Sequence, residues 1–149
     1  MEKLVRVENA RQKSYADTLK RIDEGGYCPF CEDHFIKNHT KPILFKTKYW
    51  IVTTNAWPYD FTKNHFLLVY RPEHVIDSLE LPARAYANIS KIIKRLKKEH
   101  NLGPSTLLMR SGDMSKTGAS VKHIHAQIIE GDVEHPDYDS KVGVTTRVG

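Results

Sequence analysis

The sequence predicts an α+β domain, an antiparallel sheet with helices packed on one side. Two observations carry this. Segments with helical and strand patterning follow in the order helix, several strands, long helix, two strands, and the links between strands are short and hairpin-like. The 149-residue chain is 40% hydrophobic and 28% charged, so it can bury a core of its own without disulfide staples.

Residues 13–24 read as a helix with Tyr15, Leu19 and Ile22 on one face, stopped by Gly25-Gly26. A polar stretch follows. Ile43 to Phe45 and Tyr49 to Thr53 read as strands, the second being β-branched and aromatic. Trp57-Pro58-Tyr59-Asp60 is a loop, since Pro58 has no ladder donor. His65 to Tyr70 is an apolar run of strand length ended by Pro72. From about Pro82 to His100, Ala85, Ile89, Ile92 and Leu96 recur at helical spacing, and Gly103-Pro104 closes the segment. Thr106 to Met109 is a strand, Arg110 to Ser120 is a loop rich in Gly and Ser, and Lys122 to Ile129 is the last strand. Beyond Glu130 the chain is polar, and its final ten residues are expected to be poorly anchored.

The longest apolar run is far short of the ~20 residues that span a bilayer. The charged N-terminus lacks the apolar core of a secretory signal, so a cytoplasmic location is expected. The net charge of +5 favours anionic ligands such as phosphates. It does not by itself argue for nucleic acid, because the densest basic run, Lys91 to Lys98, reads as a solvated helix face.

The chemistry concentrates in the last strand. Side chains alternate along a strand, so His123, His125 and Gln127 share one exposed face while Ile124, Ala126 and Ile128 turn to the core. Two imidazoles and an amide on one face are hard to explain by packing. In the preceding loop, Gly112 and Gly118 permit close approach of a ligand. Ser111, Ser115, Thr117 and Ser120 offer hydroxyls there, and Arg110, Lys116 and Lys122 offer charge, a set suited to phosphate oxygens. Trp50, Trp57, Tyr59 and Phe61 suit either stacking on a base or core packing. Cys28 and Cys31, in Cys-Pro-Phe-Cys, form a redox pair or half of a metal site. Tetrahedral zinc needs two further ligands; His74 and His123 are candidates among the eight histidines.

These residues resemble the histidine triad (HIT) superfamily over roughly residues 27–130. His123-Ile124-His125-Ala126-Gln127 matches the His-x-His-x-Gln form of its motif, and His65 to His74 (HFLLVYRPEH) looks like its strand and basic turn. The glutamine and the segment Asn55 to Tyr59 look more like the branch of galactose-1-phosphate uridylyltransferase and the diadenosine polyphosphate phosphorylases.

The resemblance implies a single domain over residues 1–149, with a helical extension over 1–26 and a polar tail over 131–149. It implies a five-stranded antiparallel sheet with two main helices, and a homodimer. His125 matches the nucleophile that forms a nucleotidyl-histidine, Gln127 the residue that binds the phosphoryl oxygens, and Ser120 a contact to phosphate or leaving group. Asn55 falls near a ribose position, and Arg110, Gly118 and Lys122 complete the expected substrate contacts. Cys28, Cys31, His74 and His123 match the ligands of a structural Zn2+, with no organic cofactor. The implied activity is hydrolysis or transfer of a nucleotidyl unit from a nucleotide or dinucleotide polyphosphate. Two other classes stay open: a nucleotide-binding regulatory module with vestigial catalysis, and a small zinc module for nucleic acid.

Overall fold

The computed structural model describes residues 3–149. A 3-10 turn at Val7–Asn9 leads into α1, Lys13–Gly25, whose Leu19 packs on Val5 and Val121. Gly26 ends α1 in the left-handed region at φ 65°, which glycine adopts without a Cβ clash. Next come α2, Glu32–Asn38, and a meander of β1, Ile43–Lys46, β2, Trp50–Thr54, and β3, Thr62–Tyr70. The chain continues through α3, Ala83–His100, β4, Thr106–Met109, α4, Met114–Thr117, and β5, His125–Gly131. The five strands form one antiparallel sheet in the order β1-β2-β3-β5-β4, so the motif strand lies inside the sheet and β4 is an edge. Among the described residues no helix is long and apolar enough to cross a membrane.

The stripe read from the sequence of α3 is buried as expected. Ala85, Ile89, Ile92 and Leu96 pack on Val52, Phe66, Leu68, Ala126 and Ile128. Each large aliphatic side chain buried here stabilises the fold by about 1.5–3 kcal/mol. The helix stops at Asn101, whose φ is 51°, before Gly103-Pro104.

The expectation of helices on one side is corrected. Phe35 of α2 packs with Ile51, Leu67 and Val69, the strand residues that point away from α3. β3 is buried at every position from His65 to Tyr70, and a continuously apolar strand is one covered on both faces. α2 leaves no trace in the hydrophobic pattern, because seven residues with one buried side chain make no periodic stripe. The last strand also starts later than expected, at His125. The Lys122 N–H donates to Leu4 O at 2.8 Å and the Ile124 N–H to Val75 O at 2.7 Å, so these two amides bond away from the ladder, and only the Ile124 carbonyl still meets β3, accepting from the Tyr70 N–H at 3.2 Å.

Candidate active site

β5 meets β3 with Gln127 opposite Leu67 and His125 opposite Val69, so both polar side chains emerge on the face that α2 covers. The strand pattern suggested an exposed face, but the face is buried. His123, His125 and Gln127 are 4%, 7% and 5% exposed. Phe30 stands edge-on to His125 with 4.9 Å between ring centres, and α1 and the C-terminal segment close the remaining sides. What is left is a cavity of about 180 Å³ whose walls include His125, Gln127, Ser120, Asn55, Arg110 and Gly118. Six of the seven expected catalytic and substrate-contact residues thus meet in one place.

The tautomer of His125 follows from its partner. Its Nδ1 lies 2.7 Å from His123 O, and a carbonyl only accepts, so Nδ1 carries the proton and Nε2 keeps its lone pair. Burial lowers the His125 pKa from 6.5 to about 4, opposed by the bond to His123 O and assisted by the nearby Arg110 charge. The ring is therefore a neutral imidazole at neutral pH.

Gln127 is oriented by a residue not foreseen as part of this site, His65. The Tyr59 N–H donates to His65 Nδ1 at 3.1 Å. The His65 proton therefore sits on Nε2 and is donated to Gln127 Oε1 at 2.6 Å. With its oxygen turned to His65, the Gln127 amide turns its N–H groups toward Tyr59, with which it hydrogen-bonds, and the cavity. Burial also lowers the His65 pKa to about 4, which keeps this ring neutral. Alternation through Leu67 and Val69 would have placed His65 on the site face.

Ser120 Oγ shares a hydrogen bond with Tyr15 Oη at 2.7 Å. Tyr15 is stacked on Trp57, with 4.6 Å between ring centres, and burial raises its pKa to about 12. The extension α1 therefore supplies a wall of the cavity. Asn55 spends its Oδ1 on the Trp57 N–H at 2.8 Å, which shapes the loop around the cavity. Arg110 is tied by Nε to Thr117 O at 2.9 Å and by Nη2 to Thr146 Oγ1 at 2.6 Å and Arg147 O at 2.9 Å. At Gly118, φ is 73° and an added Cβ would meet Arg147 O at 2.6 Å. The final residues expected to be loose are thus laid across the cavity mouth, and their polar composition gave no sign of it.

Several expectations are corrected. Lys122 lines a separate groove with Lys3, Arg6 and Asp77, because the chain reaches β5 only at His125. Ser111 accepts from the Ser78 N–H and donates to Asp77, and Thr117 donates to Asp113 O, so these loop hydroxyls serve the loop. Of the four aromatic residues, Trp57 and Tyr59 line the cavity. Trp50 is fully buried with Nε1 donating to Ala85 O, and Phe61 packs on His135 and Tyr138.

Next to the cavity, Cys28, Cys31, His74 and His123 bring four ligand atoms within 4.8 Å of one another. His123 donates from Nε2 to Tyr70 O at 2.7 Å, which leaves Nδ1 free to ligate. That Nδ1 lies 3.5 Å from Cys28 Sγ, 4.0 Å from Cys31 Sγ and 3.2 Å from His74 Nδ1. His74 Nδ1 is 3.5 Å from Cys31 Sγ. Tetrahedral zinc with two sulfur and two nitrogen ligands has edges of about 3.3–3.8 Å, so the donor set and its spacing fit that geometry. Burial holds the Cys28 thiol up at about 12, a penalty on the thiolate that a cation would offset.

No protein-family model and no curated protein matches the sequence. Solved structures do match. The chain is similar to a HIT family hydrolase from Clostridium thermocellum, with TM-score 0.58, 19% identity, and 75% of this chain and 96% of that chain covered. It is similar to a histidine triad nucleotide-binding protein from Candida albicans, with TM-score 0.54, 19% identity, and 83% of each chain covered. A Zn-bound histidine triad family protein from Mycobacterium smegmatis aligns with TM-score 0.50 and 14% identity over 74% of this chain and 80% of that chain. The five-stranded antiparallel sheet and its helices have the fold of these histidine triad structures.

Proposed function

We propose that this chain is a nucleotidyl hydrolase or transferase in which His125 Nε2 attacks the α-phosphorus of a nucleotide-containing substrate. The observation that carries the reading is the bond from His125 Nδ1–H to His123 O, which aims an unprotonated Nε2 into the cavity. Attack forms a P–N bond as the P–O bond to the leaving group breaks, and the leaving oxygen departs with the electron pair. The Nδ1–H bond to His123 O stabilises the positive charge that develops on the ring. Gln127 donates to a non-bridging oxygen from the amide that His65 orients. Ser120 offers a hydroxyl that Tyr15 holds in place. Water or a phosphate then attacks the nucleotidyl-His125 and restores the free imidazole.

Gln127 has no titratable proton to give, which favours leaving groups that are stable anions and disfavours basic amines. The Clostridium neighbour is described as a hydrolase and the Candida neighbour as nucleotide-binding, and both descriptions agree with this reading. Cys28, Cys31, His74 and His123 would hold a structural Zn2+ that pins the start of β5 to the N-terminal segment. The zinc-bound Mycobacterium neighbour supports that assignment. A homodimer through β4 completes the proposal, since Thr106 and Leu107 are exposed on this edge strand. The reading is tested by supplying a panel of nucleoside polyphosphates in the presence and absence of phosphate. Release of a nucleoside monophosphate in water identifies a hydrolase, and a nucleoside diphosphate formed with phosphate identifies a transferase. No turnover of any member contradicts the reading.

A further inference from the structure

We propose that Arg11 and Arg110 form a second anion subsite beside His125, which takes a phosphate-bearing leaving group, and that Thr145–Arg147 occupies this subsite until such a group displaces it. The inference rests on the reading of the cavity as a nucleotidyl-transfer site.

Both arginines line the same cavity as His125 and converge on Tyr59. Arg11 lies over its ring at 4.9 Å and Arg110 Nη1 is 3.4 Å from its hydroxyl. Among the described residues, neither arginine forms an ion pair with a carboxylate. Their donors rest instead on neutral oxygens of the C-terminal segment. Arg11 donates to Thr145 O and to Thr145 Oγ1, and Arg110 to Thr146 Oγ1 and Arg147 O. A carbonyl or hydroxyl is a weaker partner for guanidinium than a phosphate, whose oxygens match its planar fork. Two like charges around one ring, each paired only to neutral oxygens, make a site in which an anion is the better occupant.

The segment is suited to give way. Thr145 to Gly149 are exposed, so polar contacts hold the segment; an anion competes for the Arg11 and Arg110 donors, while Arg147 Nη1 keeps its bond to Glu8 O at 3.2 Å. The cavity is about 180 Å³, below the ~300–1,000 Å³ usual for small-ligand sites, and withdrawal of Thr146 and Arg147 from its wall enlarges it. The arrangement also fits Gln127. When the P–O bond breaks, the leaving phosphate keeps its negative charge, and Arg11 and Arg110 take up that charge where no proton donor stands.

The test titrates inorganic pyrophosphate into the full chain by calorimetry and follows amide hydrogen exchange over residues 144–148 with and without it. We expect saturable binding, weakened about tenfold or more by Arg11→Gln and by Arg110→Gln, since each removes charge-assisted bonds. We expect faster exchange of the tail amides when pyrophosphate is bound. Arg110 also braces Thr117, so circular dichroism accompanies that variant; Arg11 lies outside the sheet and tests the subsite independently. No pyrophosphate binding, unchanged affinity in Arg11→Gln, or unchanged tail exchange on binding overturns the inference. Formation of nucleotidyl-His125 in the same preparation then leaves the transfer reading standing alone. If instead the arginines and tail respond as expected and no adduct forms on any nucleotide, the subsite stands and the transfer reading falls.

Discussion

His65 donates its Nε2 proton to Gln127 Oε1 across 2.6 Å, joining β3 to β5 inside the cavity. The bond fixes the orientation of the Gln127 amide, with its oxygen to His65 and its N–H groups toward Tyr59 and the cavity. Gln127→Ala removes a donor to the reacting phosphate and should lower kcat by about 10²–10³-fold. His65→Phe leaves the amide present but unoriented and should cost less, about tenfold. The double variant should be no worse than Gln127→Ala alone, because His65 acts through Gln127. Additive losses would show that His65 works by another route.

Acidification should destabilise the protein. Burial lowers His65 and His125 from 6.5 to about 4. Between those values the unfolded chain binds protons that the native state refuses. Stability should therefore be level above pH 6.5 and fall as pH drops toward 4. Thermal midpoints across this range measure the slope, which His65→Gln should flatten. A midpoint that rises on acidification contradicts the neutral buried imidazoles.

Protein purified without chelators should contain one zinc per chain by elemental analysis. Cys28→Ser should lose the metal and melt at least several degrees lower, since ~1 kcal/mol moves Tm by about 2–4 °C at this size. Protein that contains no zinc, or that melts unchanged after chelation, contradicts the four-ligand site.

If β4 is the dimer edge, sedimentation should give twice the chain mass for the native protein. Leu107→Lys, at a side chain 48% exposed, should shift it to monomer with the secondary structure retained. A native monomer at high micromolar concentration rules the edge out.

Much of the fold was legible because periodicity is local. The α3 stripe from Ala85 to Leu96 and the alternation of His125 with Ala126 are both recorded in neighbouring residues. Lys122 shows the limit of that logic. The alternation in the sequence runs on past the true start of β5, and the bonds from Lys122 to Leu4 and from Ile124 to Val75 mark the break. The placement of Cys28, Cys31, His74 and His123 together was suggested by residue type and the family resemblance, with spacing alone leaving the choice open. Tyr15, Arg11 and Thr146 escaped prediction as wall residues because they reach the cavity from opposite ends of the chain, and no local pattern encodes such a meeting.

Whether His125 is the nucleophile is decided by peptide mass spectrometry after rapid quenching of the protein with a nucleoside polyphosphate. An acid-labile nucleoside monophosphate adduct is expected on His125, absent in a folded His125→Ala variant that has also lost turnover. Turnover retained by His125→Ala, or an adduct on a different residue, would contradict that role.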